Sequence, residues 1–129
     1  MDVLIDSSVL IAAERGALDL DDLLRAHRAD EVGISAITAS ELLHGVHRLS
    51  SAVRRVRTHA LVEQVLARLP VVAFDLDVAR VHAMLSAELR SKGTAIGAHD
   101  LLIAATAVHV GAAVATRSGP PQSGQTLKE

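Results

Sequence analysis

Cysteine is absent from the 129-residue chain, which excludes disulfides, thiolate metal sites and a Cys nucleophile and suits a reducing compartment. Aromatic side chains are nearly absent as well, with Phe74 standing alone and no Trp or Tyr. Base-binding platforms of the RRM or OB type stack nucleobases on such rings, so any nucleic acid bound here would be held by its backbone. Neither sign of charge dominates: 13 Lys and Arg against 15 Asp and Glu leave a formal charge of −2, and the domain as a whole is not the basic body that nonspecific duplex binding favours. Apolar runs such as residues 101–105 fall far short of the ~20 residues that span a bilayer. The chain enters Val3-Leu4-Ile5 directly, without the basic and then apolar stretches of a signal peptide. The expectation is a soluble, cytoplasmic protein with no membrane partner.

Half of the residues are hydrophobic, enough for one domain with a real core. Short apolar runs at Val3 to Ile5, Val32 to Ala36, Val71 to Phe74 and Ala112 to Thr116 read as strands, separated by stretches with helical spacing. Asp19 is a candidate N-cap of a short helix, with Asp21 and Asp22 suiting its positive end. Thr38-Ala39-Ser40-Glu41 matches a capping box. Ser50 and Ser51 separate the following helix from a basic one over 53–68, with Val56, Leu61, Val65 and Leu66 expected inward, so the two form an αα-hairpin. A further helix over 78–90 directs Val81, Met84, Leu85 and Leu89 inward, and Gly111 stops an apolar helix that His99 and Asp100 open. Strands alternating with helices predict an α/β fold: three layers, α/β/α, with a mostly parallel central sheet covered on both faces. The domain spans 1–116, and the Ser, Gly, Pro and Gln composition of 117–129 predicts a disordered tail.

Three acids lie at strand-to-helix boundaries or in early helical turns: Asp6 after the first strand, Glu41 after the second, and Asp100 opening the helix before the last. Each has a bland explanation, as N-cap, capping-box partner or helix-dipole partner. In a parallel sheet, however, such positions converge on the carboxyl edge, where open α/β folds place their chemistry. Gathered carboxylates repel one another unless a cation neutralises them, and a hard divalent ion, Mg²⁺ or Mn²⁺, matches oxygen ligands. Ser7 and Thr116 are candidate hydroxyls for orienting those carboxylates or their waters. Arg54, Arg55 and Arg57 are candidate RNA-phosphate contacts, set against the plainer role of a solvated helix face.

The runs Val3 to Ile11, Ile34 to Gly45 and Ile96 to Ala105 resemble PIN-domain ribonucleases, in particular the VapC toxins of bacterial toxin-antitoxin modules, and the likeness extends over residues 2–116. The resemblance implies a Mg²⁺- or Mn²⁺-dependent endoribonuclease. Its metal-binding carboxylates fall on Asp6, Glu41 and Asp100; it cuts RNA, is silenced by a cognate VapB-type antitoxin and forms a homodimer. The chain departs from the family at its end, where Thr116-Arg117 is followed by Ser118, Gly119, Pro120, Pro121 and Gln122 instead of a pattern supplying a fourth acid. Weakened activity is one expectation from that loss, and the alternative reading is a PIN-like domain that has lost turnover and binds an antitoxin or RNA. A phosphoreceiver domain fits poorly, because Lys occurs only at 92 and 128 and a single acid follows the first strand. A di-iron bundle needs Glu-x-x-His twice, and the chain has it once, at Glu41 and His44. His44 and His47 are therefore expected at the surface or in an interface. The hairpin helices and the helix over 77–90 carry more apolar positions than one sheet face needs, which predicts a homodimer and an apolar groove for a partner helix.

Overall fold

The computed structural model describes residues 1–16, 19–117 and the backbone of 127–128. Its first strand, β1 (Val3–Ile5), pairs in parallel on one side with β2 (Val32–Ser35) and on the other with β4 (Ala113–Thr116). Beyond β2 lies β3 (Val71–Val72), and beyond β4 the two-residue β5 (Leu127–Lys128), giving the order β3-β2-β1-β4-β5 with every pairing parallel. Neighbouring residues of a strand face opposite sides of the sheet, and β1 feeds a separate core on each. Ile5 packs with Val9, Ile34, Leu42 and Val46, whereas Leu4 packs with Ile103, Ala107 and Val114. Both faces of the central strand are covered, as its unbroken apolar run requires.

The first core is roofed by α1 (Ser7–Glu14), α2 (Leu20–Ala26), α3 (Ala36–His47) and α4 (Ala52–Arg68), which supply Val9, Leu23, Leu42 and Val62. The second is covered by α6 (Ala98–Val110), with α5 (Leu76–Ser91) packed against it. The three-layer α/β/α architecture is the expected one. Two glycines have specific reasons. A Cβ on Gly33 would sit 2.8 Å from the Pro70 carbonyl oxygen and 2.9 Å from the Met1 sulfur, so only a bare Cα lets β2, the 70–71 segment and the N-terminus close together. Gly111 ends α6 at φ +72°, the left-handed conformation that a side chain resists.

Several local readings are corrected. No capping box starts at Thr38; the N-cap of α3 is Ser35, whose hydroxyl oxygen accepts from the Thr38 amide at 3.0 Å and donates to the Thr38 hydroxyl at 3.2 Å. The strand hands over to the helix earlier than its apolar pattern suggests, because Ala36 and Ile37 suit either element. β3 is half the expected length, and Asp75 caps α5 by accepting from the Val78 amide at 3.0 Å. Val56 and Met84 are 74% and 61% exposed and Leu61 is 39% exposed, against the expectation that they point inward. α4 leans on α3, and α5 leans on α6, and a helix resting on one neighbour buries only a narrow stripe. Leu127 and Lys128 pair in parallel with β4; the expected tail over 117–129 falls mostly on residues 118–126 and 129, including the departure at Ser118 to Gln122, which lie outside the described residues. No helix among the described residues is long and apolar enough to cross a membrane.

Candidate active site

Parallel pairing of β1 with β4 in the register Ile5 with Ala115 brings the residues just past the two strand ends side by side. The Asp6 amide donates to the Ala115 carbonyl at 2.9 Å, which fixes Asp6 at the carboxyl edge of the sheet next to Thr116. Asp6 occupies the N-cap position of α1, yet its side chain accepts no amide of that helix. Its Oδ2 is instead held by two hydroxyls, Ser8 donating at 2.8 Å and Thr116 at 3.3 Å. The Ser8 and Thr116 oxygens are themselves 3.1 Å apart, and the Arg117 amide donates to Ser8 at 3.1 Å. Asp6 thus makes no capping bond to α1, and Thr116 donates to its carboxylate. The second hydroxyl is a correction: it belongs to Ser8, and among the described residues Ser7 makes no hydrogen bond to Asp6. Sequence spacing offers both serines equally, and only the turn from β1 into α1 decides between them.

With Ser35 as N-cap, Glu41 lies in the second turn of α3, beyond reach of any capping role. Its side chain is largely buried, and Oε1 has no hydrogen-bond partner among the described residues. A buried carboxylate oxygen without a donor is costly and marks a place for a ligand atom or cation. Oε2 faces His99 Nδ1 at 3.5 Å. His99 stands in the first turn of α6, directly before Asp100, whose side chain is in the same turn and exposed. Because α6 passes through the Gly111 turn into β4, it runs back against the strands, and its N-terminal turn returns to the carboxyl edge. α3 contacts both α1 and α6, and so the three acids lie on one edge of the sheet.

They are not drawn tightly together. The one set of three His, Asp or Glu side chains among the described residues with ligand atoms all within 4.8 Å of one another is Asp75, Asp77 and His109, all exposed and otherwise employed: Asp75 caps α5, and Asp77 accepts from Arg80 at 3.0 Å. Asp6, Glu41 and Asp100 do not form such a set, and carboxylates gathered on one edge repel unless a cation offsets their charge. The donor set fits a hard divalent cation: carboxylate oxygens only, one of them buried and unpartnered, another carboxylate braced by hydroxyls.

A groove of about 530 Å³ opens beside Glu41. Leu10, Leu42, Val46 and Leu61 contribute to its apolar lining, and Arg15, Arg48, Arg54 and Arg68 bring positive charge. Of the three arginines singled out from the sequence, Arg54 lines this groove. Arg55 is committed elsewhere, donating to the Leu49 and Ser50 carbonyls at 2.7 and 3.0 Å and closing the turn between α3 and α4. Arg57 is exposed. Arg48 and Arg15 were not singled out, since neither belongs to a basic run. His44 and His47 are exposed, as expected.

The PIN domain model matches residues 3–118. Ribonuclease VapC1 of Rickettsia felis is 33% identical over 90% of this chain and 84% of its own length, and the VapC ribonuclease Y4jK of Sinorhizobium fredii is 39% identical over 74% and 71%. Among solved structures, DNA-bound VapBC from Salmonella typhimurium superposes with a TM-score of 0.83 at 26% identity, covering 100% of this chain and 97% of that one. With an acid at the end of the central strand, another on the helix after β2 and a third opening the helix before β4, the chain belongs to the PIN-domain family, in its VapC group.

Proposed function

We propose that the chain is a divalent-metal-dependent endoribonuclease and the toxin of a toxin-antitoxin pair, working in the cytoplasm. The observation that carries this reading is the buried, unpartnered Oε1 of Glu41 on the same sheet edge as the hydroxyl-braced Asp6. Asp6, Glu41 and Asp100 would hold a Mg²⁺ or Mn²⁺ ion, which when bound acidifies a water and offsets charge on the scissile phosphodiester. Ser8 and Thr116 keep Asp6 in one orientation, so that its free edge stays turned to the ligand. Arg54, on the groove that reaches Glu41, is placed to pair with an RNA phosphate. Arg57 remains a candidate further out, whereas Arg55 is spent on carbonyls. The ribonuclease names of relatives more than 30% identical support the RNA substrate.

The same groove suits an amphipathic segment of a VapB-type antitoxin. Its apolar floor would take the segment's hydrophobic side chains, and a basic side chain at its Glu41 end would neutralise the acids. The similarity to a toxin-antitoxin complex supports such a partner. Val53, Val56, Leu76 and Met84 are exposed on α4 and α5, and we assign them to a homodimer contact. The test is RNA cleavage by the metal-stripped full chain against added Mn²⁺. We expect no cleavage without metal, cleavage on addition, and none from Asp6→Ala, Glu41→Ala or Asp100→Ala at any metal concentration. Cleavage that proceeds in chelator, or that survives any of the three substitutions near the parental rate, would overturn the assignment.

A further inference from the structure

We propose that His99 is a positioning residue that holds Glu41 Oε2, so that the other oxygen of the same carboxylate is presented to the ion; this rests on the metal-dependent reading above. The two oxygens of Glu41 have different surroundings. Oε2 lies 3.5 Å from His99 Nδ1, and Oε1 is buried without a partner. The terminal torsion of a glutamate is broad and two-fold, so a carboxylate with no donor would exchange its oxygens between the two places. A donor on one oxygen removes that freedom and decides which of them faces inward. Nδ1 is the ring nitrogen nearer the carboxylate, and we assign the hydrogen to it because only a protonated nitrogen can donate there. The neutral Nδ1–H tautomer and the imidazolium both supply it, and no change of charge is needed. At 3.5 Å the pair is a charge contact and not a formed hydrogen bond; contacts in such sites often tighten only with the ligand in place.

Placement adds a second function to the same contact. His99 is on α6, one residue before Asp100, and Glu41 is on α3. Among the described residues it is the polar side-chain link between the first turn of α6 and the second turn of α3. Two carboxylates carried by separate helices repel, and a donor that belongs to one helix and grips the acid of the other opposes their separation. His99 is 64% exposed and Glu41 27%. The histidine is thus unnecessary to the core and replaceable without loss of folding, while the acid it grips is the more buried partner. Ligand-orienting contacts of this kind typically change metal affinity 10- to 100-fold on removal.

The experiment is calorimetric or electron-spin-resonance titration of the metal-free full chain with Mn²⁺, in parallel with cleavage rate against Mn²⁺ concentration. His99→Leu keeps bulk and removes the donor, and His99→Asn restores an N–H near the position of Nδ1. We expect His99→Leu to weaken Mn²⁺ binding roughly tenfold, with its cleavage recovering as Mn²⁺ is raised, and His99→Asn to bind within about threefold of the parent. Thermal unfolding of both metal-free variants should match the parent. Unchanged Mn²⁺ affinity in His99→Leu overturns the proposal, as does equal loss in His99→Asn, or a cleavage defect in His99→Leu that no Mn²⁺ concentration relieves. If the parent binds Mn²⁺ and Asp100→Ala abolishes it while His99→Leu does not weaken it, the positioning role alone falls. If the parent binds no Mn²⁺, the metal-dependent reading and this proposal fall together.

Discussion

Glu41→Gln should move stability and activity in opposite directions, and by amounts that follow from one buried oxygen. In the parent, Oε1 is shielded from water with no donor, on a side chain 27% exposed. A buried unsatisfied polar atom costs about 1–3 kcal/mol, and more if charged. Partial exposure relieves some of that, so we take the lower end: removing the charge without changing the shape stabilises the metal-free protein by about 1 kcal/mol. Unfolding entropy near 2.1 cal/mol/K per residue, applied to 129 residues, gives about 0.27 kcal/mol/K, and hence a rise in Tm of about 4 °C. Saturating metal reverses the order. At a hundred times Kd, a ligand that binds only the folded state adds about 2.7 kcal/mol, which is about 10 °C for the parent; the Gln variant, lacking one anionic ligand, gains far less. Scanning calorimetry of both proteins in chelator and in Mn²⁺, with RNA cleavage on the same samples, reads all four states. The reasoning is refuted if Glu41→Gln melts below the parent in chelator, or if Mn²⁺ raises both melting points equally.

The remaining predictions concern the other acids, the sheet and the arginines. Asp6→Ala combined with Asp100→Ala should be no less active than either single variant in single-turnover RNA cleavage, because each already disables a shared ion site; a further loss in the double variant would mean separate roles. Gly33→Ala should cost about 1–3 kcal/mol in urea unfolding, because its Cβ would press on the Pro70 carbonyl that also accepts from the Ile34 amide at 3.0 Å; a cost below a few tenths of a kcal/mol would show that the N-terminus and the 70–71 segment yield freely. Arg55→Ala should lower stability by about 1 kcal/mol through its lost carbonyl contacts and leave KM for RNA unchanged, whereas Arg54→Ala should raise KM with stability kept; the reverse pattern would exchange their assignments.

Strand-length apolar runs, a helix period between them and the acids at their junctions were all legible before any coordinates. β1 matches residue for residue because Val3-Leu4-Ile5 has no alternative: both neighbours of the central strand bury it, and a polar residue on either side ends the run. The cap of α2 reads correctly too, since capping is local: Asp19 accepts from the Asp21 and Asp22 amides; the pairing of Asp21 with Arg68 at 2.7 Å joins residues 47 positions apart and has no local signal. Periodicity failed where burial depends on what a helix leans against. Val65 and Leu66 on α4 and Val81, Leu85 and Leu89 on α5 are partly buried, but Val56, Leu61 and Met84 face a surface that is open in a single chain.

The site divides along the same line between local and long-range information. Which residues are acids at strand ends is a one-dimensional fact, and it is what makes Asp6, Glu41 and Asp100 the candidates. What each oxygen touches depends on pairings across the chain: Thr116 reaches Asp6 over 110 positions because β1 and β4 share a register, and His99 meets Glu41 because α6 returns beside α3. Local rules gave Glu41 a complete alternative explanation as a capping-box acid. That explanation lapsed once Ser35, buried at the end of β2, took the cap and moved the helix start back three residues. An acid left with no capping partner and a buried, unpaired oxygen then requires another source of compensation. On the proposed reading, a cation at this sheet edge would supply it at once to Glu41, to the hydroxyl-braced Asp6 and to the exposed Asp100.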